Sequence, residues 1–534
     1  MPGAVEPMEI EAPANAQPNG ATPLIGESSE AEASGPQPAS EAGAAETPAS
    51  SETQPRDPVS MVNGSDHSFA STTRRSSALR PLDMLNPKID LVEGVSSVMD
   101  TASKLVTIMI GASVLGYPAM FSKTGLILGS ALLIFCCVVS IYMCLLIADA
   151  IGTIQERTGT HIKKLDDIAF QCYGSIGQRG TRYLLNSFFV AKTCLYLVLI
   201  GQNMNYLVPS LPYRAWVLII TVFNIPVALL RDTSLLDRLS FIGVIASCLY
   251  GVCIVWGSIP ASDLDRRSFE PNPGFQSFGK MIGVVFSSLT MMIFGFGPTD
   301  VMATVRSDMR EPDSVKTAVI YSHVATFSVY WLAGMVGSWG FGKYVTGNVG
   351  LSMCDNPGCV GQGRCTADGC DAIHTIKKDE AGAKWVPGII LAVAVISNLA
   401  VTIPLVLKCL YNSVEACYPI DQPMGRNVNV AMRIGTVLFA SVIGLCLPFF
   451  LHVMGIISSA MSVPVVFFLP LFLSYKADKL EQMPRSIRRW IIDGFMFVLA
   501  VMALCVGLYE SLSDLVQAIK ERPQAMDIFG HFWD

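Results

Sequence analysis

Read for hydropathy alone, residues 92–510 alternate apolar windows of about 20 residues with short polar connections, the pattern of helices that cross a bilayer. Eleven windows fall at 96–121, 125–152, 180–209, 214–231, 239–259, 279–304, 317–342, 385–411, 430–449, 451–475 and 488–509, the ninth and tenth dividing between Pro448 and His452. Between the second and third, residues 153–178 are polar. Within them Ile162, Leu165, Ile168 and Ala169 recur at helical spacing. That predicts an amphipathic helix lying along the membrane or against the cytosolic end of the bundle.

Two windows contain residues that a plain spanning helix avoids. The first carries Thr107-Ile-Met-Ile-Gly-Ala-Ser-Val-Leu-Gly-Tyr-Pro118, the sixth Leu289-Thr-Met-Met-Ile-Phe-Gly-Phe-Gly-Pro-Thr-Asp300. In a helix Gly costs about 1 kcal/mol relative to Ala and Pro about 3. Pro118 also lacks the N–H that would bond the carbonyl of Val114. Unpaired backbone cannot face lipid, so each break must line a cavity or be buried in protein. Helices one and six are the first members of two five-helix halves, 1–5 and 6–10. Repeats with an odd number of helices have opposite topology, and paired interruptions in inverted halves point to a transporter site.

The chemistry of such a site follows from the breaks. Freed N–H groups near Gly111, Ala112 and Ser113, at the positive end of a half-helix, favour a carboxylate. Freed carbonyls at the negative end of a half-helix favour an ammonium or a metal cation. An α-amino acid carries both charges on one carbon, and glycine removes the side chains that would block its approach. No resident charge is required, which suits a neutral amino acid.

Composition agrees: 51% of residues are hydrophobic and 15% charged, which places the chain in the polytopic membrane class. The net charge of −6 is unevenly distributed. Residues 1–57 hold nine Glu and Asp57 against Arg56, a charge of −9, so the remainder is +3 and no nucleic-acid partner is indicated. Residues 1–90 are rich in Pro, Ala, Ser, Glu and Gly without apolar periodicity and read as a disordered acidic tail. They lack the basic and apolar regions of a cleaved signal peptide. Arg74-Arg75-Ser76-Ser77 is a candidate phosphorylation site or an ordinary solvated stretch.

Lys and Arg concentrate in the connections that follow the even-numbered helices. This puts the N-terminal tail in the cytosol and residues 511–534, a C-terminal tail, on the other side. It also puts the loop 343–384 outside the cytosol. There Cys354, Cys359, Cys365 and Cys370 are spaced C-x4-C-x5-C-x4-C. They read as two disulfides with three connectivities open, or as a structural zinc site, although zinc loops usually use C-x2-C pairs. The sequon Asn63-Gly64-Ser65 lies in the cytosolic tail. Ionisable residues inside membrane windows are functional candidates by default. Asp300 is a proton carrier, the partner of Lys104, Lys192 or Arg306, or exposed at the cytoplasmic end of the sixth helix.

Ile110-Gly-Ala-Ser-Val-Leu-Gly-Tyr-Pro118 resembles the first-helix pattern, roughly G-x-G-I-L-G-L-P, of the amino acid/auxin permease family, in particular its sodium-coupled neutral amino acid transporter branch. Ser307-Asp-Met-Arg-Glu-Pro-Asp313 resembles the acidic-Met-basic-acidic-Pro stretch of the same family, and the likeness covers about residues 92–510. The resemblance implies an all-α polytopic protein of about eleven transmembrane helices with a LeuT-like 5+5 inverted repeat. It implies alternating-access symport of amino acids driven by sodium or protons, with no cofactor. Gly111, Ala112 and Ser113 would then meet the substrate carboxylate, and Phe294, Gly295 and Phe296 its amino group or side chain. Thr107 sits where sodium-coupled relatives often carry Asn, and Thr402 matches a hydroxyl of their sodium site. Plasma membrane and vacuolar or lysosomal membrane fit equally well.

A second reading keeps the fold and makes the chain an amino-acid-sensing receptor that signals through its tail. An enzyme is not indicated, because no HExxH, phosphate-cradling loop or clustered acid–base set appears in the spans. A channel is disfavoured by the lack of a pore loop or ring of charge. The sequence points to no protein partner.

Overall fold

The computed structural model describes residues 96–208, 210–229, 234–261, 277–342, 345–353, 386–415, 423–482 and 484–521. The tail 1–90 and the four loop cysteines lie outside the described residues. Each of the eleven apolar windows is helical. The first is divided into α1 (Val98–Met109) and α2 (Tyr117–Thr124), and α3 (Leu126–Thr158), α4 (Leu165–Leu207), α5 (Tyr213–Leu229) and α6 (Ser234–Ala261) complete the first half. The sixth window is α7 (Phe278–Gly295) and α8 (Met302–Ser307). After it come α9 (Val315–Phe341), the short α10 (Val349–Ser352), α11 (Val386–Glu415) and α12 (Pro423–Cys446). The tenth window runs from α13 (Phe450–Ile457) through two π-helical turns into α14 (Leu469–Leu480), and α15 (Ile487–Glu521) is the last. By length and composition, eight helical runs among the described residues can cross a bilayer, the bent pair α1–α2 makes a ninth, and Tyr213–Leu229 and Ile245–Ile259 are shorter apolar helices.

Local chemistry sets the ends. Ser97 and Asp100 open α1 with a reciprocal capping box: Asp100 N–H donates to Ser97 Oγ at 3.2 Å, and Ser97 N–H donates to Asp100 Oδ2 at 3.1 Å. Just before it, Ser96 pairs in a strand-like bridge with the segment after α8. Its N–H donates to the carbonyl of Asp308 at 2.9 Å, and the N–H of Arg310 donates back to Ser96 at 3.1 Å.

The polar connection 153–178 is more ordered than a loop. α3 runs on to Thr158, and α4 begins at Leu165 with a break at Gly174, whose φ of 67° and ψ of −156° only glycine adopts readily. The piece before the break is the expected amphipathic one: Ile162, Leu165, Ile168 and Ala169 are all buried. At the other end α15 passes the expected boundary at 510 and continues to Glu521, because Ser511 and Leu515 stay buried and Lys123 pairs with Asp514 at 3.1 Å.

Within a bilayer lipid is as apolar as leucine, so helices associate through close packing of small residues. Gly334, Gly337 and Gly340 form such a stripe on α9. A Cβ on them would lie 2.7 Å from the Phe121 ring, 2.6 Å from Pro118 Cγ and 2.5 Å from the Ser258 carbonyl oxygen. α9 therefore lies hard against α2 and α6. Large apolar side chains such as Ile127, Phe223, Phe439 and Phe495 are exposed, as lipid-facing residues must be.

Candidate functional site

Both expected interruptions are present. In the first, Ile110 makes the last helical bond, its N–H donating to Val106 at 2.8 Å. Gly111 then leaves the helical region at φ −71° and ψ −126°, and a 3-10 turn, Ala112–Gly116, leads into α2 at a bend of 44°. The N–H groups that open this turn have no intrahelical partner. In the second, α7 closes with Phe296 N–H donating to Met292 at 3.2 Å. Gly297 (φ −94°, ψ 68°) carries the chain into a second 3-10 turn, Pro298–Val301, and then α8.

The two breaks meet at a narrow cavity of about 10 Å³, room for about one water. Gly111, Ala112, Ser113, Phe294 and Gly295 line it, together with Lys192 and Tyr196 of α4. Phe296 is not among the lining residues. Its ring lies parallel to that of His323 on α9, with centroids 6.1 Å apart, and edge-on to Tyr330 at 5.2 Å. The structure places it in the packing behind the cavity rather than in the lining.

Protein hydroxyls already reach the carbonyls that the breaks leave. Tyr330 Oη of α9 sits between the carbonyls of Met109 and Gly295, 3.2 Å from the latter, and contacts Ser113 Oγ at 2.8 Å. Tyr117 Oη donates to the carbonyl of Met292 at 3.2 Å, its ring stacked on Tyr330 with centroids 4.1 Å apart. Ser140 of α3 donates to the carbonyl of Phe296. A carbonyl has two lone pairs; Met292 also accepts the Phe296 N–H and Met109 also accepts the Ser113 hydroxyl at 3.2 Å, so of these four the carbonyls of Gly295 and Phe296 are the ones with room for one more donor. Gly295 is fixed by this cluster: a Cβ there would lie 2.6 Å from Tyr117 Oη and 3.1 Å from Ser113 Oγ.

The candidate ion-coupling residues fall in two places. Asp300 is buried and pairs with Lys192 at 2.7 Å through Oδ2, while its Oδ1 has no partner among the described residues. Lys192 also lies over the Phe188 ring, 4.2 Å from its centroid. Lys104 instead donates to Ser96 Oγ at 2.9 Å, and Arg306 to Gln155 Oε1 at 2.5 Å. Thr107 and Thr402 share another junction. The Thr107 hydroxyl donates back to Ser103 at 3.0 Å, and the Thr402 hydroxyl to the carbonyl of Asn398 at 2.8 Å. A Cβ on Gly243 of α6 would lie 2.8 Å from the Thr107 methyl and 3.3 Å from Asn398 Oδ1, so α1, α6 and α11 converge there. Among the described residues no group of three His, Cys, Asp or Glu is placed to hold a metal.

Tyr330, Tyr117, Tyr196, Ser140 and His323 went unassigned in the sequence, although one signal was present. His323, Thr326 and Tyr330 are polar positions three and four apart on a mostly apolar helix, with Ser322 beside the first, and all four are fully buried. Such a polar stripe faces the interior of a bundle.

Membrane-crossing helices with two breaks converging on a small polar cavity define a transporter-type architecture. Residues 94–362 and 371–513 match the transmembrane amino acid transporter protein family, and the chain belongs to it. It is accordingly a transporter of amino acids across a membrane and not an enzyme. It is 24% identical to amino acid transporter AVT1D of Arabidopsis thaliana over 82% of this chain and 73% of that one. It is 22% identical to vacuolar amino acid transporter 5 of Schizosaccharomyces pombe over 50% and 63%. Among solved structures, the nucleobase-cation-symport-1 family transporter Mhp1, closed around bromovinylhydantoin, aligns with 84% of this chain and 98% of its own, with TM-score 0.46 and 12% identity.

Proposed function

We propose that the chain carries small neutral amino acids by alternating access, driven by an ion gradient across the membrane of an internal, vacuole-like compartment. The observation that carries this reading is the cavity between the breaks. Backbone N–H groups at Ala112 and Ser113 suit a carboxylate, and the carbonyl of Gly295, which takes one hydroxyl, suits an ammonium. The one charge in the lining, Lys192, is neutralised by Asp300 at 2.7 Å, so a zwitterion without side-chain charge fits best. Phe294, Tyr196 and Ser113 narrow the space, which favours a small side chain. Vacuolar placement is supported by the name of the Schizosaccharomyces pombe relative.

The test is uptake of a labelled amino-acid panel into proteoliposomes under a sodium gradient and, separately, a proton gradient. Accumulation of a neutral member under either is the expected result. Sodium drive would assign the ion to the Thr107–Asn398–Thr402 junction. Saturable binding without accumulation under either gradient would replace the transporter with a sensor.

A further inference from the structure

His323 is fully buried in α9, behind the second break and outside the cavity. Its ring makes two hydrogen bonds. Nδ1 lies 2.8 Å from the carbonyl of Val319, and Nε2 lies 2.9 Å from Ser140 Oγ. Ser140 Oγ also contacts the carbonyl of Phe296, the residue that ends α7 at the break. The chain Val319–His323–Ser140–Phe296 thus runs from α9 through α3 to the interrupted sixth helix.

Counting protons along this chain shows what it can do. A carbonyl oxygen only accepts, so Nδ1 must carry a hydrogen toward Val319. A neutral imidazole has one N–H: carried on Nδ1, it leaves Nε2 to accept the Ser140 proton and the Phe296 carbonyl loses its donor; carried on Nε2, it sets the bare Nδ1 lone pair against the Val319 oxygen 2.8 Å away, which is repulsive. An imidazolium has N–H on both nitrogens: Nε2–H donates to Ser140 Oγ, which turns its own proton to Phe296. Three hydrogen bonds in the structure need three protons, and only the protonated ring supplies them. A buried carbonyl without a partner is unfavourable, so the two protonation states favour different arrangements of the break.

We propose that His323 is a proton-binding site whose occupancy decides, through Ser140, whether the carbonyl of Phe296 is held or released at the break in the sixth helix. The proton comes from water on the more acidic side and returns to water on the other. No bond other than N–H is made or broken. The ring faces no carboxylate among the described residues. The thiols nearest on α3 are Cys137, whose Sγ lies 3.9 Å from the His323 backbone carbonyl, and Cys144 beside Ser140. Beyond Phe296 stands the Lys192–Asp300 pair, already neutral as a unit, and Tyr330 lies farther along α9. The ring's charge is therefore not cancelled by a neighbour, and its effect passes through the Ser140 hydroxyl. This assignment rests on the ion-driven transport proposed above and names the residue that takes the ion.

The test compares wild type, His323→Gln and Ser140→Ala in proteoliposomes, using the labelled amino acid that wild type exchanges fastest. Two readouts are taken: counterflow without a gradient, and accumulation under a pH difference of about one unit, which sustains about tenfold accumulation per coupled proton. Both variants are expected to keep counterflow within about twofold of wild type while accumulation falls to the equilibrium level. Ser140→Thr, which keeps the hydroxyl, should accumulate like wild type. Wild-type accumulation in His323→Gln or in Ser140→Ala overturns the proposal, as does accumulation in wild type that follows sodium and ignores pH. If His323→Gln does not insert, Ser140→Ala alone decides. Absence of counterflow in wild type with every amino acid would instead refute the transport reading on which the proposal rests.

Discussion

Gly295→Ala is a demanding test of the site because local propensity and packing push it in opposite directions. The residue is the last of α7, with no positive φ, so the backbone accepts alanine and helix propensity favours it by up to about 1 kcal/mol. The space does not accept it. The new methyl would lie 2.6 Å from Tyr117 Oη, 3.1 Å from Ser113 Oγ and 3.2 Å from Tyr330 Cε2. None of these can retreat freely, since Tyr117 and Tyr330 are stacked and fully buried. Relief requires the hydroxyls of Tyr117 and Tyr330 to leave the carbonyls of Met292 and Gly295, each bond contributing about 0.5–1.5 kcal/mol. The loss of about 1–3 kcal/mol exceeds the gain. Gly111→Ala is the control, because its Cβ would meet only Tyr196 Oη at 3.8 Å and the Ile108 carbonyl at 3.9 Å, ordinary contact. Uptake normalised to inserted protein, with a thermal melt in detergent, should show Gly295→Ala about tenfold slower and several degrees less stable. Gly111→Ala should stay close to wild type in stability. Equal behaviour of the two variants would refute the claim that the hydroxyl cluster fixes position 295.

Other substitutions probe separate parts of the site. Tyr330→Phe removes the hydroxyl between Met109, Gly295 and Ser113 and should lower stability by about 1–3 kcal/mol, read from denaturation, with uptake falling in step. Asp300→Asn leaves the Lys192 ammonium buried and unpaired and should destabilise by about 3–5 kcal/mol, whereas Lys192→Met with Asp300→Leu should recover most of that loss. A double variant no more stable than the single would show that the pair is not the reason. Gly111→Val, which places a branched side chain where the carboxylate is proposed to sit, should insert normally and abolish uptake. Transport at the wild-type rate would remove Gly111 from the site.

Most of the architecture is written in composition at the scale of a helix. Apolar windows locate the membrane-crossing part of each element, since lipid punishes any polar run in a span, although α4 begins well before its window and α15 ends well after; Gly111, Gly295, Gly297 and Pro298 mark both breaks because they are unfavourable in a continuous helix. The same logic fails where a feature depends on what another helix supplies. Nothing in positions 289–300 says that Tyr330, 35 residues on, reaches the Gly295 carbonyl, or that Phe296 turns from the cavity toward His323. The choice among Lys104, Lys192 and Arg306 as partner of Asp300 was likewise settled only by the approach of α4 to the second break. The run of α15 past residue 510 was missed because hydropathy falls there while helix-forming residues continue.

The bridge between Ser96 and the segment after α8 is made entirely of main-chain atoms. It ties the entrance of the first interrupted helix to the exit of the sixth, so those two half-helices share a main-chain yoke. Such a yoke leaves no trace in residue identity. Exchange of side chains at Ser96, Asp308 or Arg310 spares both hydrogen bonds, and only proline, which lacks the amide hydrogen, would sever one. Scanning substitutions across this joint would leave its two main-chain bonds in place, while a change at Ser96 would remove the hydroxyl that Lys104 contacts.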